Sequence, residues 1–343
     1  MAHRDIIVVG ASLGGVEAIP QLVARLPADL RAAVFIVMHL HPDAPSYLVR
    51  RLNEVGRLRA AEARDGEPVE MNRIYVAVPD RHLGLEGNRI RLSRGPRESH
   101  ARPSVDVLFR SAAFSHGARV IGVVLTGMLD DGTAGLWAIK DRGGLAIAQS
   151  PEDAAYPSMP LSAIRHVAVD YILRLVEIPE VLRALTDADV RERQTAMPNE
   201  KFEIETRIAL EDKAHGTAVR SLGQPSFFTC PECQGSMVAI HEGSIRRFRC
   251  HTGHGYTANA LSQRGLTRIE GTLWAALAQL EEREALLREM AEAARNGGTD
   301  SESAAEHATD ADETRKLADR LRALLADTAL RQLQSDAAPN PKR

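Results

Sequence analysis

Three residues with side chains suited to acyl transfer stand where apolar runs give way to small or polar residues. They are Ser12 in DIIVVGASLGG, His39 in FIVMHLHPD and Asp131 in VVLTGMLDDGTAG. Serine is a weak nucleophile near neutral pH. It needs an imidazole to take its proton and a carboxylate to fix the imidazole's tautomer and stabilise its cation. The first stretch also admits a second chemistry, because glycines between a strand and a helix let a pyrophosphate approach the helix N-terminus, where free N–H groups favour an anion. On the G-x-S-x-G reading, Ser12 instead sits on a sharp turn, with Leu13 and Gly14 supplying the oxyanion side of the site and the Leu13 N–H as the candidate donor. A dinucleotide fold usually places Asp or Glu at the end of the next strand to hold the ribose. Here His39 stands there, and Asp43 follows only after Pro42. His41 is a rival base, Asp130 and Asp131 can each serve as plain helix caps, and Met128 lies in the loop beside them. The motif alone leaves both chemistries open.

A second cluster lies far along the chain. The only three cysteines are Cys230 and Cys233 in CPEC and Cys250 in CHTGH, which also offers His251 and His254. Thiolates and imidazoles at this ribbon-like spacing suit a tetrahedral structural zinc, two ligands from each knuckle, with no open coordination position. An iron–sulfur centre would more often use a fourth cysteine, and three metal-free structural thiols are the plainer alternative. His254 is the preferred fourth ligand, because four residues past Cys250 the chain can turn back to the metal, whereas His251 is adjacent to Cys250. Arg246, Arg247, Phe248 and Arg249 run through this module. Arginine beside an aromatic can bind nucleic acid, but so short a run reads as a solvated strand, and no nucleic-acid partner is expected.

The elements that must position these groups follow from hydrophobic period. Over residues 1–186, β-branched runs apolar on both faces alternate with helical stretches, which predicts an α/β fold with a doubly wound, mostly parallel sheet. Ser12, His39 and Asp131 all fall at carboxyl ends of predicted strands, where such sheets bind ligands. NRIYVAVPDRHLGLEGNRIRLSR alternates around EGN, predicting a hairpin on the sheet edge. Residues 187–226 turn polar without sustained period and read as a linker, and 227–260 form the cysteine module. Residues 261–335 read as a helical hairpin or coiled-coil-like segment. Its apolar stripe is Ile269, Leu273, Leu277, Leu280, Leu287 and Met290, continued by Leu317, Leu321, Leu324 and Thr328. A flexible connector is expected at 295–313 and a disordered tail at 336–343. The stripe suggests a partner or self-association through these helices.

The 343-residue length suits more than one core, and a formal net charge of −3 gives no general pull toward nucleic acid or acidic lipid. With no long apolar run and no signal-peptide pattern, a cytoplasmic protein without membrane insertion is expected.

VVGASLGGVEA, MHLHPDAPSYLVRRLN, IYVAVPDRHL, RPSVDVLFRSAA and GVVLTGMLDDGTAGLWAIKDRGG, in that order, resemble the catalytic domain of the chemotaxis protein-glutamate methylesterase (CheB) family over roughly residues 4–185. The resemblance implies a doubly wound α/β fold that hydrolyses methyl esters of receptor glutamates and deamidates certain glutamines. It needs no cofactor for catalysis, and a methylated receptor or other signalling protein is the partner. It assigns Ser12 as nucleophile, His39 as base in preference to His41, Asp131 as orienting acid and Met128 to the active-site loop. Extended relatives are similar in keeping a Cys and a His at the places of Cys250 and His254. Leu13 stands where many relatives have threonine. The family usually carries an N-terminal receiver domain, whereas this chain starts a few residues before the catalytic strand, so the usual switch is expected to be missing from this polypeptide. The added C-terminal half opens the choice of substrate. The alternatives are a non-catalytic ligand-binding and signalling scaffold and a hydrolase of another acyl group, while the position of His39 argues against a nicotinamide-binding protein.

Overall fold

The β-branched runs of the first half assemble into one sheet in the computed structural model, which describes residues 2–39, 47–190, 200–210, 216–296 and 301–336. In chain order the elements are β1 (Ala2–His3), β2 (Ile6–Ala11), α1 (Gly15–Ala24), β3 (Ala33–Met38), α2 (Leu48–Val55), β4 (Arg59–Glu62) and β5 (Arg73–Val76). Then come β6 (His82–Glu86), β7 (Arg89–Ser93), α3 (Val105–His116), β8 (Val120–Val124), α4 (Thr133–Asp141), β9 (Leu145–Gln149), α5 (Ser158–His166), β10 (Tyr171–Leu173), α6 (Ile178–Asp187) and β11 (Asp189–Val190). Seven strands pair in the order β10-β9-β8-β2-β3-β5-β4, every pair parallel. Successive residues of β2 face opposite cores, Ile6 and Val8 into one and Ile7 and Val9 into the other. Both faces are therefore dry, as a sheet covered by helices on both sides requires. Each such aliphatic side chain contributes roughly 1.5–3 kcal/mol when fully buried.

The hairpin forms around Gly87, but β6 and β7 make a separate two-stranded sheet rather than an edge of the main one. Its backbone is tied to α3, where the Leu85 N–H donates to Ser111 Oγ at 3.1 Å. The first apolar run of that stretch, β5, joins the parallel sheet instead.

The stretch read as a linker is largely built structure. α6 runs to Asp187, and α7 (Glu200–Leu210), α8 (Gly216–Leu222) and β12 (Gln224–Thr229) follow it. Its polar composition conceals an amphipathic helix. On α7, Phe202 stacks on Trp137 of α4, Ile208 joins Val219, Leu222, Val238 and Ile240 in a small core, and Glu205 is fully buried. The cysteine module is a four-stranded antiparallel sheet of β12, β13 (Ser236–Glu242), β14 (Ile245–Cys250) and β15 (Gly255–Thr257). It falls in the same compact unit as the parallel sheet, Met1–Leu261, while Ser262–Arg343 form the other.

The second unit holds most of α9 (Ala258–Asn296) and all of α10 (Ser301–Asp336). Helix begins again at Ser301, so most of the expected 295–313 connector is helical, and residues 337–343 lie outside the described residues. Leu277, Ala318 and Leu325 form the buried seam, with Leu273, Leu280 and Leu321 partly covered. On α10 the fully buried positions recur every seven residues, at Ala304, Ala311, Ala318 and Leu325, which is coiled-coil spacing with small residues at most of the seam. Ile269, Met290, Leu317 and Leu324, assigned to the stripe on hydrophobicity, are exposed, and the side chain of Thr328 is outside the described set. No helix among the described residues is long and apolar enough to cross a membrane.

Candidate active site and Cys/His cluster

Ser12 follows the carboxyl end of β2, in the turn that opens α1. Gly14 caps that helix with φ +80°, a left-handed backbone that side chains rarely adopt, so glycine belongs there. The Ser12 N–H is committed to the Thr126 carbonyl at 3.0 Å, which ties the turn to the end of β8. Gly127, next along, packs so closely on Ser12 that an added Cβ would lie 2.9 Å from the serine Cβ.

His39 follows β3. Its Nδ1 lies 3.1 Å from Ser12 Oγ and its Nε2 lies 2.7 Å from Asp131 Oδ2. The neutral tautomer that satisfies both bonds carries its proton on Nε2, leaving the Nδ1 lone pair to accept from the serine O–H. The rival His41 lies outside the described residues.

Asp131 does not cap its own following helix, α4, whose N-cap is Gly132. It closes the N-terminus of α3 from outside, accepting from the Val105 N–H at 2.8 Å, the Asp106 N–H at 3.0 Å and Ser104 Oγ–H at 2.9 Å. Burial works against ionisation of this carboxyl. The His39 imidazole and the two amides outweigh it and hold Asp131 below the ordinary carboxylate range. Asp106, buried beside it, is pushed well upward by burial and by the charge on Asp131. The two buried carboxyls are thus shifted in opposite directions, and the one held low is the one touching the imidazole.

The arrangement is a continuous line of hydroxyl, base and anion at the carboxyl edge of the sheet. Leu13 and Met128 are about half exposed beside it, at 49% and 46%. A cavity of about 300 Å³ opens next to His39, lined otherwise by Arg97, Ser99, His100, Ala101, Arg102 and Pro103. The sequence reading missed this basic wall, together with Ser104 and Thr126. Ser104 and the wall's last residues lie in or beside RPSVD, which carries no catalytic motif of its own. Asp130 turns away from the triad to Thr257 Oγ1 at 2.8 Å and Asn259 Nδ2 at 3.1 Å.

In the antiparallel sheet, one ligand atom from each of Cys230, Cys233, Cys250 and His254 lies within 4.8 Å of the others. His254 Nδ1 is 3.6 Å from Cys230 Sγ and 3.5 Å from Cys250 Sγ, and its Nε2 faces Glu232 at 3.3 Å. A carboxylate behind a ligating imidazole is the usual way such a ligand is oriented. The hydrogen bond between Cys230 and Cys250 pulls the Cys250 thiol down to about 7 and pushes the Cys230 thiol up. His251 is not in the cluster and its ring lies against Gly235.

The arginine run is not a solvated strand. Arg247 and Arg249 are buried, with Arg247 on Glu205 and Glu242 and Arg249 on Glu98 and Glu205. Arg110 of α3 completes the network at 2.6 Å from Glu98. Charges cannot be left unpaired in a dry interior, so these arginines face inward to acids drawn from distant parts of the chain. Arg246 alone stays outside, over the Phe248 ring.

Comparison with known proteins gives the family of the parallel-sheet half. Residues 7–182 match the family described as CheB methylesterase. A protein from Anaeromyxobacter dehalogenans named protein-glutamate methylesterase/protein-glutamine glutaminase 2 is 41% identical over 185 residues, 54% of each chain. A namesake from Methanosarcina acetivorans is 40% identical over 187 residues, 52% of each. The chain thus spans about half the length of these curated relatives. A putative enzyme of the same name from Leptospira interrogans is 36% identical and matched over its whole length, against 56% of this chain. The crystal structure of the Thermotoga maritima CheB methylesterase catalytic domain superposes over 100% of its own length and 54% of this chain, at 33% identity and a TM-score of 0.52. With the parallel sheet and the Ser12–His39–Asp131 line in hand, the chain belongs to the CheB methylesterase family.

Proposed function

We propose that this protein hydrolyses glutamate methyl esters on a signalling protein through an acyl-Ser12 intermediate. The observation that carries the reading is the unbroken hydrogen-bonded line from Ser12 Oγ through both nitrogens of His39 to the buried anion Asp131. Ser12 Oγ attacks the ester carbonyl carbon as His39 Nδ1 takes its proton, and the developing imidazolium is stabilised by Asp131. The oxyanion faces the Leu13 N–H at the start of α1, where Gly14 sets the turn. His39 then gives its proton to the departing methoxide, releasing methanol, and activates water to cleave the acyl-serine, leaving glutamate. Deamidation of glutamine uses the same residues with ammonia as leaving group. No cofactor enters these steps. Arg97 in the neighbouring wall suits an acidic protein segment and a carboxylate product, while Arg102 is already paired with Asp80.

In the same reading, Cys230, Cys233, Cys250 and His254 would hold a structural zinc, which when bound would supply a crosslink between the two knuckles of the ribbon. The donor set, its spacing and the Glu232 carboxylate behind His254 support it. The partner is a methylated receptor or another signalling protein, and α9 and α10 offer a surface for association.

The test is methanol release from a methylated receptor-type substrate by the full chain beside Ser12→Ala and His39→Ala. Turnover lost in both variants supports the esterase. Equal turnover in all three would remove the triad from the reaction, and no turnover from a folded wild type would favour another acyl substrate or a binding scaffold.

A further inference from the structure

The active-site wall is not held by the parallel sheet alone. The segment Arg97–Ala101, which lines the cavity beside His39, is pinned to the Cys/His ribbon. Glu98 bridges in parallel to Gly255 of β15. The Ser99 N–H donates to the Gly255 carbonyl at 2.7 Å, and the Gly255 N–H to the Arg97 carbonyl at 3.1 Å. Gly255 directly follows His254. The His100 imidazole lies 3.4 Å from Glu232, the same carboxylate that backs His254 on its other oxygen, and it packs on the Tyr256 ring. One acid thus joins the cluster to the cavity wall.

Backbone strain points the same way. Ser99 and His100 have φ of +48° and +67° in succession, and Leu129, beside Met128, has +64°. A non-glycine residue in the left-handed region is strained and persists only where its surroundings over-determine it. For Ser99 and His100 those surroundings are Gly255, Glu232 and Tyr256. For the 128–130 turn they include Thr257 and Asn259, which hold Asp130.

We infer that the Cys/His ribbon is a positioning element of the active site, and that its metal loading sets substrate capture by fixing the Arg97–Ala101 wall through Gly255 and Glu232. The inference rests on the esterase reading for its substrate but not for its geometry. Asp131 accepts its own hydrogen bonds from α3, Ser104 and His39, and the Ser12 N–H donates to the Thr126 carbonyl just past β8. The chemical step is therefore largely independent of the ribbon, and metal loss acts on the wall. Glu232 is a positioning residue here, since it reaches the cavity only through His100.

The experiment compares the full chain carrying stoichiometric zinc, the same protein stripped by chelator, the stripped protein reloaded with zinc, and Glu232→Gln, which keeps all four ligands. Three quantities are read on each: methanol-release kinetics, the rate of Ser12 labelling by a small fluorophosphonate, and amide exchange at Ser99 and Ala101. The expected result on stripping is a KM raised about tenfold with kcat and labelling within about twofold, from the strain released at the wall. Exchange at Ser99 and Ala101 quickens, and zinc restores both. Glu232→Gln is expected to move KM and exchange in the same direction while zinc content stays at one per chain. Unchanged KM and unchanged exchange in both the stripped protein and Glu232→Gln would overturn the inference, as would quickened exchange spread evenly over the parallel sheet. Labelling and exchange need no ester substrate, so an inactive but readily labelled wild type would count against the esterase reading alone.

Discussion

The proposed triad and the Cys/His ribbon are positioned by opposite means. Ser12, His39 and Asp131 are placed by backbone: strand ends of a sheet buried on both faces, a glycine-capped turn, and the amides at the start of α3 that close on Asp131. The ribbon is placed by side-chain charge, with Glu205, Arg247, Arg249, Glu98 and Arg110 sealed between β14, α7 and α3. A backbone-built site tolerates changes in what surrounds it but not in its few reacting atoms. A charge-built joint tolerates the loss of no single member, because each deletion leaves an opposite charge buried.

The largest effect expected from this contrast is kinetic and confined to the triad. Ser12→Ala is expected to lower kcat by about 10⁴-fold or more, and Asp131→Asn by about 10³–10⁴-fold. Asp131→Asn should also lower stability, since it weakens the closure of α3. Initial rates and urea unfolding separate the two, with Ser12→Ala unfolding as wild type does.

Next comes the joint itself. Glu205→Ala leaves Arg247 and Arg249 short of their shared partner and is expected to cost about 3–5 kcal/mol in urea unfolding. A cost below about 1 kcal/mol would break the comparison, because the network would then be ornament rather than the attachment of the ribbon.

A pH experiment sharpens it from the sheet side. His82 is fully buried, placed for a hydrogen bond from Nε2 to the Pro96 carbonyl at 3.0 Å, and burial pushes it down to about 4. An unfolded histidine titrates near 6.5, so between these values the unfolded chain binds the proton more readily. The stability due to neutral His82 is complete above about pH 6.5 and declines as pH falls toward 4, by up to about 3 kcal/mol. Unfolding midpoints at pH 7 and pH 5 should converge in His82→Gln relative to wild type.

Smallest is Arg246→Ala. Its guanidinium sits outside over Phe248 at 5.3 Å, and the change is expected to alter stability by no more than about 1 kcal/mol, in contrast to its buried neighbours Arg247 and Arg249.

The same contrast explains what could be read from the sequence. Runs such as IIVVG and VIGVV announce buried parallel strands, and the residues ending them, Ser12, His39 and Asp131, come with positions attached. CPEC and CHTGH are local enough to name the four side chains that cluster, His254 included. Glu205 in α7 and Glu98 before α3 lie 107 residues apart and belong to no motif, so nothing local marks the polar 187–226 stretch as structured or RRFR as buried. On α10 the expected stripe shares Leu321 with the observed seam, but alanines at 304, 311 and 318 carry little hydrophobic signal beside the exposed leucines at 317 and 324.

The most direct test of the central claim is the mass of the acid-quenched full chain during turnover of a peptide bearing a glutamate methyl ester. The expected result is an adduct equal to the peptide less methanol, located on the fragment containing Ser12 and missing from Ser12→Ala. Methanol release at the wild-type rate from Ser12→Ala, with no adduct on either protein, would contradict it.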